Sequence, residues 1–314
     1  MNVVREFLNA CMEDIDEHGV RGLSKTLRSA GRYVSNEFRY RVSHAPEATN
    51  VYDREWDLLI LLDCATVDMM EEVRDEYEFV GTVGEHISPG TCSDEWMNHT
   101  FTGRYRNEMA RTLHVTANTS SERRLDADRF LHLEEVWRDG WDADLGTIPA
   151  RTVTDRAISL TREYDADRTI VHYMQPHLPF VEADIDGNVV TPVGVEGEGY
   201  TLGELHDECG YRRDELWEAS VENLRYVLDD VAVLLDNVDA DTVVVSSDHG
   251  QAFGEDGVWS HPCYTYVDVL KTVPWCVTSA SDTGTRRPSY EPADESESDP
   301  QVDLDEKLAA LGYK

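Results

Sequence analysis

Basic residues are scarce in this chain of 314 residues, and lysine is the rarest of them. The sequence holds 63 acidic against 28 basic residues, which gives a formal net charge of −35 at pH 7. The lysines are Lys25, Lys271, Lys307 and Lys314. Such a charge opposes contact with a phosphate backbone, so the composition argues against a nucleic-acid partner.

The acidic residues are spread along the whole chain rather than gathered in one block. Self-repulsion on this scale destabilises a compact chain in dilute buffer, and concentrated salt screens it. An acidic face for a basic partner protein would instead concentrate the charge in one region. We therefore predict a halophilic protein that works in a cytosol of high salt.

Long apolar runs are also missing. The first residues, MNVVREFLNACMEDIDEHG, carry acids where a signal peptide needs an apolar core, and no later run reaches the length of a membrane span. The six cysteines show no CxxC pair and no zinc-like spacing. These absences predict a cytoplasmic protein without a membrane span, whose cysteines are thiols.

Three short apolar runs, at 58–62, 169–171 and 242–247, predict buried strands. Between the last two, apolar residues spaced by three and four mark one face of a long amphipathic helix over 217–235. The alternation of strands and helices predicts an α/β fold, in which helices sandwich a mostly parallel sheet.

Composition divides the chain into three parts. Residues 1–50 carry apolar and charged positions at helical spacing and predict an N-terminal helical appendage. Residues 51–282 hold the predicted strands and form the α/β domain. Residues 283–314 are acidic, rich in proline and serine and without periodicity, which predicts a flexible tail with a short apolar end.

Polar side chains follow the predicted strands. Asp63 comes directly after the first, His172 and His177 follow the second, and Asp248 and His249 follow the third. Ligands of parallel sheets bind at the carboxyl ends of the strands, so we expect these side chains to meet. Alone, each has a simpler explanation as a helix cap, a turn or a structural histidine, but their joint placement favours a site.

Hydroxyl groups are added by a turn, SPGTCSDEW, that precedes a predicted helix. Ser88, Thr91 and Ser93 lie where free backbone N–H groups favour an anion. His261 lies further along, beyond the third strand. Carboxylates, an imidazole and an alkoxide oxygen would suit one divalent cation.

The order of these motifs resembles the sulfatase-like proteins of the alkaline phosphatase superfamily, of a haloarchaeal type. LLILLDCATVD resembles the first metal-binding strand, and TFTGRY resembles the segment after the nucleophile. MQPHLPF is similar to a substrate-binding motif, and VVVSSDHGQAFGE is similar to the last metal motif. The resemblance covers about residues 55–280 and implies that 51–282 is an alkaline phosphatase-like catalytic domain.

Residue by residue, the resemblance implies three protein ligands of one metal ion: Asp63, Asp248 and His249. A gap-free count back from FTG places the nucleophile at Ser93, whose oxygen would also bind the metal, with Thr91 as the alternative. His177 falls on a substrate-binding histidine, and His261 lies near the leaving group. The single-metal site is similar to that of the phosphoglycerol transferase branch, which implies Mn²⁺ or Mg²⁺, with Ca²⁺ or Zn²⁺ as alternatives.

Departures from the sulfatase pattern bear on the substrate. Sulfatases modify the first residue of C/S-x-P-x-R, whereas this chain reads SDEWM, without the proline and the arginine. Cys64 stands where many sulfatases have a second aspartate. The resemblance thus implies a hydrolase or transferase for a small-molecule or glycan ester of phosphate or, less readily, sulfate. The alternative is a protein that has lost catalysis and binds an anionic glycan or a partner protein.

Overall fold

The structure is a computed structural model that describes residues 48–183, 185 and 200–288. Most of the predicted N-terminal appendage (1–50) and most of the predicted acidic tail (283–314) lie outside these residues. The three parts and the two boundaries between them therefore remain predictions.

The strands of the described part are β1 (Leu58–Leu62), β2 (Gly84–Ile87), β3 (Thr112–Thr116), β4 (His132–Glu135), β5 (Arg168–Tyr173), β6 (Ala240–Ser246), β7 (Ala252–Phe253), β8 (Trp259–Ser260) and β9 (Thr272–Ala280). Seven of them form one mixed sheet, in the order β2-β9-β6-β1-β5-β3-β4, and β7 and β8 pair separately. Neighbours from β6 to β4 run parallel, and β9 is antiparallel to β6 and β2. The predicted α/β class with a mostly parallel sheet is confirmed.

Helices connect the strands. They are α1 (Val67–Val73), α2 (Ser93–Thr100), α3 (Arg106–Met109), α4 (Ser121–Arg124), α5 (Ala150–Glu163), α6 (Leu202–Asp207), α7 (Arg213–Leu235) and α8 (Asp268–Lys271). The helix predicted over 217–235 corresponds to α7, which begins four residues before the predicted start. Among the described residues, no helix combines the length and the apolarity that crossing a membrane requires.

The central strand β1 shows why both faces of the sheet are covered. All five of its residues are buried. Alternate side chains of a strand point to opposite faces. Leu58, Ile60 and Leu62 join the core cluster that includes apolar residues of α5 and α7. Leu59 and Leu61 join a second cluster that includes residues of α2. A continuous apolar run is therefore required here, because neither face meets water.

The strand register brings several strand ends to the same edge of the sheet. Leu62, the last residue of β1, pairs with Tyr173, the last residue of β5. Ser246 ends β6 opposite Leu61, and Thr116 ends β3 opposite His172. The segments that follow these four strands consequently leave the sheet beside one another.

His86 is a buried imidazole in β2, an edge strand of the sheet. Its ring centroid lies 4.7 Å from that of Trp275. Burial, together with the positive charge of Arg54, lowers the pKa of His86 to about 4. The protonated form is therefore disfavoured in the folded state.

We expect this histidine to make stability depend on pH. The unfolded imidazole has a pKa of about 6.5. The unfolded state therefore binds more protons between pH 6.5 and 4, and stability falls as the pH is lowered through that window. His86→Phe should reduce this fall in the free energy of unfolding by about 3 kcal/mol, as measured by urea unfolding at fixed salt. The exposed His99→Phe is the control, and an equal pH slope in His86→Phe and the wild type would refute the assignment.

Candidate functional site

Four side chains that are far apart in the sequence meet at the carboxyl edge of the sheet. Asp63 follows β1, Ser93 is the first residue of α2, and Asp248 and His249 follow β6. All four are fully buried. The shared edge of the parallel strands explains why the chain brings them together.

Their donor atoms surround a common point. The Nε2 atom of His249 lies 3.2 Å from Ser93 Oγ, 3.4 Å from Asp63 Oδ1 and 3.4 Å from Asp248 Oδ2. Ser93 Oγ is also 3.4 Å from Asp63 Oδ2. The carbonyl of Gly250 accepts from His249 Nδ1 at 2.9 Å, so the neutral ring carries its hydrogen there. That leaves the lone pair of Nε2 directed at the three oxygens.

His172 extends the cluster, although the motifs assign it no role beyond its place after a predicted strand. It is fully buried in β5, and its Nε2 atom lies 3.7 Å from Asp248 Oδ2. Among the described residues, that oxygen and both His172 ring nitrogens have no hydrogen-bond partner. A buried polar atom without a partner costs about 1–3 kcal/mol. A cation would remove that penalty, since donor atoms of Asp63, His172 and Asp248 lie within 4.8 Å of one another.

The chemistry of these donors suits a divalent metal ion. Carboxylate and hydroxyl oxygens with imidazole nitrogen fit a hard or borderline cation. Burial alone would raise the pKa of Asp63, but the surrounding histidines, His249 first, outweigh it and lower the pKa to about 2. The Asp63 carboxylate is thus ionised at neutral pH, as a metal ligand must be.

His177 and His261 lie together at the same site. Their Nε2 atoms are 3.0 Å apart, and the His261 ring stacks on His249 with centroids 4.7 Å apart. The carbonyl of Leu178 accepts from His177 Nδ1 at 2.6 Å. The neutral His177 ring therefore has its lone pair on Nε2, and His261 donates from its own Nε2. Burial, and then His249 and His177, lower the pKa of His261 well below its usual value, so that ring is neutral.

Asn118 is a member of the site that the sequence reasoning missed. Its Nδ2 group donates to Asp63 Oδ2 and to Ser93 Oγ, both at 2.8 Å. Asn118 lies two residues after the end of β3, and Asp63 directly follows β1. Its position after a strand could have indicated a site residue. However, the strand sequence TLHVT alternates polar and apolar residues, so it does not predict a strand buried on both faces.

The hydroxyl of Thr91 faces different partners from that of Ser93. Thr91 Oγ1 donates to Glu95 Oε2 at 2.8 Å and lies 3.2 Å from the carbonyl oxygen of Pro262. Cys92 between them is bonded to Cys263. Of the three neighbouring side chains, Ser93 is the one beside Asp63 and His249.

The disulfide corrects the prediction that the cysteines are thiols. Cys92 and Cys263 are 171 positions apart in sequence, and their Cα atoms lie 5.1 Å apart in the fold. Sequence spacing carries no sign of this pair, because only the tertiary structure brings the turn before α2 to the loop after β8. Among the described residues the remaining cysteines are thiols: Cys64, Cys209 and Cys276. Cys11 lies outside the described residues.

Comparison with known proteins rests on structure, since no family profile and no curated protein matches the sequence. The chain is similar to the integral membrane protein lipooligosaccharide phosphoethanolamine transferase A from Neisseria meningitidis, with a TM-score of 0.50 and 12% identity over 89% of this chain and 59% of that one. It is also similar to a protein in the alkaline phosphatase superfamily from Vibrio parahaemolyticus, with a TM-score of 0.38 and 12% identity over 75% and 62% of the two chains. A third similar structure is a 2-O GAG sulfatase, with a TM-score of 0.47 and 12% identity over 74% and 64%.

The chain has an alkaline phosphatase-like fold. At the level of the fold, the resemblance predicted from the motifs is confirmed, since the transferase from Neisseria meningitidis shares this fold at a TM-score of 0.50. An identity of 12% establishes the fold alone. The haloarchaeal type and the roles of the site residues remain predictions.

The disulfide should stabilise the alkaline phosphatase-like fold. It closes a loop of 171 residues and thereby restricts the unfolded chain. We expect the double variant Cys92→Ser with Cys263→Ser to lose about 2–5 kcal/mol in urea unfolding. The exposed Cys209→Ser should unfold like the wild type. Alkylation of Cys92 and Cys263 in unreduced, unfolded protein would show that the two cysteines are not paired.

Proposed function

We propose that this protein is a metal-dependent hydrolase or transferase of phosphate or sulfate esters, with Ser93 as the nucleophile. One observation carries the proposal: the buried Ser93 Oγ lies 3.2 Å from His249 Nε2 and 3.4 Å from Asp63 Oδ2, among donors that suit a metal ion. A hydroxyl is a weak nucleophile by itself and needs such an environment.

The metal ligands in this proposal are Asp63, Ser93, Asp248 and His249, and His172 is added to them by its contact with Asp248. A divalent cation bound there, Mn²⁺ or Mg²⁺ by preference, acidifies a hydroxyl and neutralises charge on the oxygens of an ester. The two buried carboxylates supply negative charge that such an ion balances.

The side chains around Ser93 prepare its hydroxyl for attack. Asn118 donates to Oγ, so the hydrogen of the hydroxyl itself faces Asp63 or His249. Attack forms a bond from Oγ to the phosphorus as the bond to the leaving oxygen breaks. His261, neutral and with a hydrogen on Nε2, holds an ester oxygen through that hydrogen beside His177, and water returns to the leaving oxygen the proton that Ser93 loses.

Phosphate esters are the preferred substrates in this proposal. The proline and arginine that accompany formylglycine formation in sulfatases are missing around Ser93. An unmodified serine suits a phosphoseryl intermediate, after which water or an alcohol accepts the phosphoryl group. The proposed ester is a small molecule or a glycan, and the similar structures include a phosphoethanolamine transferase and a sulfatase.

The compartment is a separate part of the proposal. The net charge of −35 supports work at high salt. We predicted a cytoplasmic location from the sequence, whereas the Cys92–Cys263 disulfide is typical of an oxidising environment. We therefore favour an oxidising, salt-rich environment over the reduced cytosol.

Replacement of the proposed nucleophile is the direct test. We expect Ser93→Ala to lower kcat/KM for p-nitrophenyl phosphate by roughly 1,000-fold or more, at saturating Mn²⁺ and molar KCl. Thr91→Ala should retain activity within about tenfold, since its hydroxyl bonds to Glu95, Pro262 and Thr265 and not to the site residues. Loss in Thr91→Ala alone would identify the wrong hydroxyl. Absence of turnover in the wild type on phosphate esters and aryl sulfates would favour the alternative of a binding protein.

Salt dependence tests the halophilic part. Screening of a net charge of −35 should raise the melting temperature steeply from dilute buffer to molar KCl. NaCl at equal ionic strength should act alike, because screening depends on ionic strength. A melting temperature that is flat over this range would remove the basis for the halophilic prediction.

A further inference from the structure

The segment 175–181 carries His177 from the end of β5 into the site. Most of it is buried, and it belongs to no helix or strand. Its prolines at 176 and 179 have no backbone N–H. Buried carbonyl groups need donors, and this segment cannot obtain them from a regular hydrogen-bond ladder.

The side chain of Asn223 supplies those donors. It is fully buried in α7, and its Nδ2 group donates to the carbonyl oxygens of Pro176, His177 and Pro179 at 3.1, 3.0 and 3.3 Å. Its Oδ1 accepts from the backbone N–H of Val181 at 3.0 Å. One amide group thus holds the segment at four points, two before Leu178 and two after it.

On its other side, the segment is hydrogen-bonded to the backbone of Asp63, one of the proposed metal ligands. The backbone N–H of His177 donates to the carbonyl oxygen of Asp63 at 3.0 Å and lies at the same distance from that of Met174. The backbone of His177 is therefore fixed between Asp63 on one side and Asn223 on the other. The ring at its end contacts His261 Nε2 at 3.0 Å.

We propose that Asn223 is a positioning residue that sets the His177 imidazole relative to Ser93 and His261. It acts through the backbone of 175–181 and does not itself touch a substrate. The effect on turnover rests on the proposed function, in which His177 acts on the ester. The amide is specific for this task, since three carbonyl oxygens require an N–H donor on one side and the N–H of Val181 requires an acceptor on the other.

Asn223→Asp removes the donor and keeps the size of the side chain. A carboxylate oxygen would then face three carbonyl oxygens, and the segment should shift. Displacement of a reacting group by about 1 Å costs roughly 100-fold in rate, and we expect a loss of that order in kcat/KM for p-nitrophenyl phosphate. Asn237→Asp is the matched control, because Asn237 is equally buried and donates to Val233 at 2.9 Å, outside the site.

A double-mutant cycle separates positioning from general destabilisation. If Asn223 acts through His177, Asn223→Asp should cause almost no further loss in a His177→Ala background. An equal loss in both backgrounds would overturn the proposal. Should Asn223→Asp not fold, Asn223→Ser takes its place, with a single hydroxyl donor and a smaller expected loss than Asn223→Asp, judged against Asn237→Ser.

A measurement independent of activity distinguishes this proposal from the proposed function. In protein with labelled histidine rings, Asn223→Asp should move the NMR signals of His177 and His261 and leave that of His132, in β4, unchanged. Those shifts are expected even if the wild type turns over no ester, in which case only the proposed function fails. Unmoved His177 signals in folded Asn223→Asp would refute the positioning role.

Discussion

The rest of the site depends on the burial of two carboxylates, Asp63 and Asp248, at one edge of the sheet. An isolated ionised carboxylate in a protein interior is strongly unfavourable. Four imidazoles, His249 first, outweigh the effect of burial and lower the pKa of Asp63, and the Asn118 amide donates to its carboxylate. Asp248 nevertheless keeps an oxygen without a hydrogen-bond partner among the described residues. A cation is the simplest partner for such an arrangement, and Ser93, the proposed nucleophile, lies beside both the carboxylate of Asp63 and the ring of His249.

The central strands and the site residues that follow them could be predicted from the sequence. The run over 58–62 is continuous and apolar because β1 is buried on both faces, and Asp63 follows it. The same reasoning located Asp248 and His249 after β6. These side chains meet because the carboxyl ends of parallel strands share one edge of the sheet.

Other parts of the site depend on tertiary contacts that leave no local pattern. β3 is fully buried although it contains Thr112, His114 and Thr116. Because these polar positions do not form an apolar run, neither the strand nor Asn118, which follows it, could be predicted from the sequence. Asn223 lies within an ordinary amphipathic helix and is distinguished only by the segment that it meets. The pairing of Cys92 with Cys263 likewise exists only in the folded chain.

The acidic composition affects the stability of the whole fold, whereas the buried carboxylates affect the stability of the site. Surface arginines such as Arg225, which pairs with Glu76 and Glu222, form ion pairs on this acidic surface. Exposed pairs of this kind contribute about 0–1 kcal/mol each, so they offset little of the self-repulsion at a net charge of −35. Salt would therefore stabilise the fold as a whole, whereas the proposed cation would stabilise the site alone.

Metal analysis of protein purified at high salt, without chelator, tests the central claim most directly. We predict one bound divalent cation per chain in the wild type, its loss in Asp248→Asn, and its retention in the control Asp144→Asn. Asp144 lies in an exposed turn outside the site. A folded wild-type protein that binds none of Mn²⁺, Mg²⁺, Ca²⁺ or Zn²⁺ at millimolar concentrations would contradict the metal-dependent site.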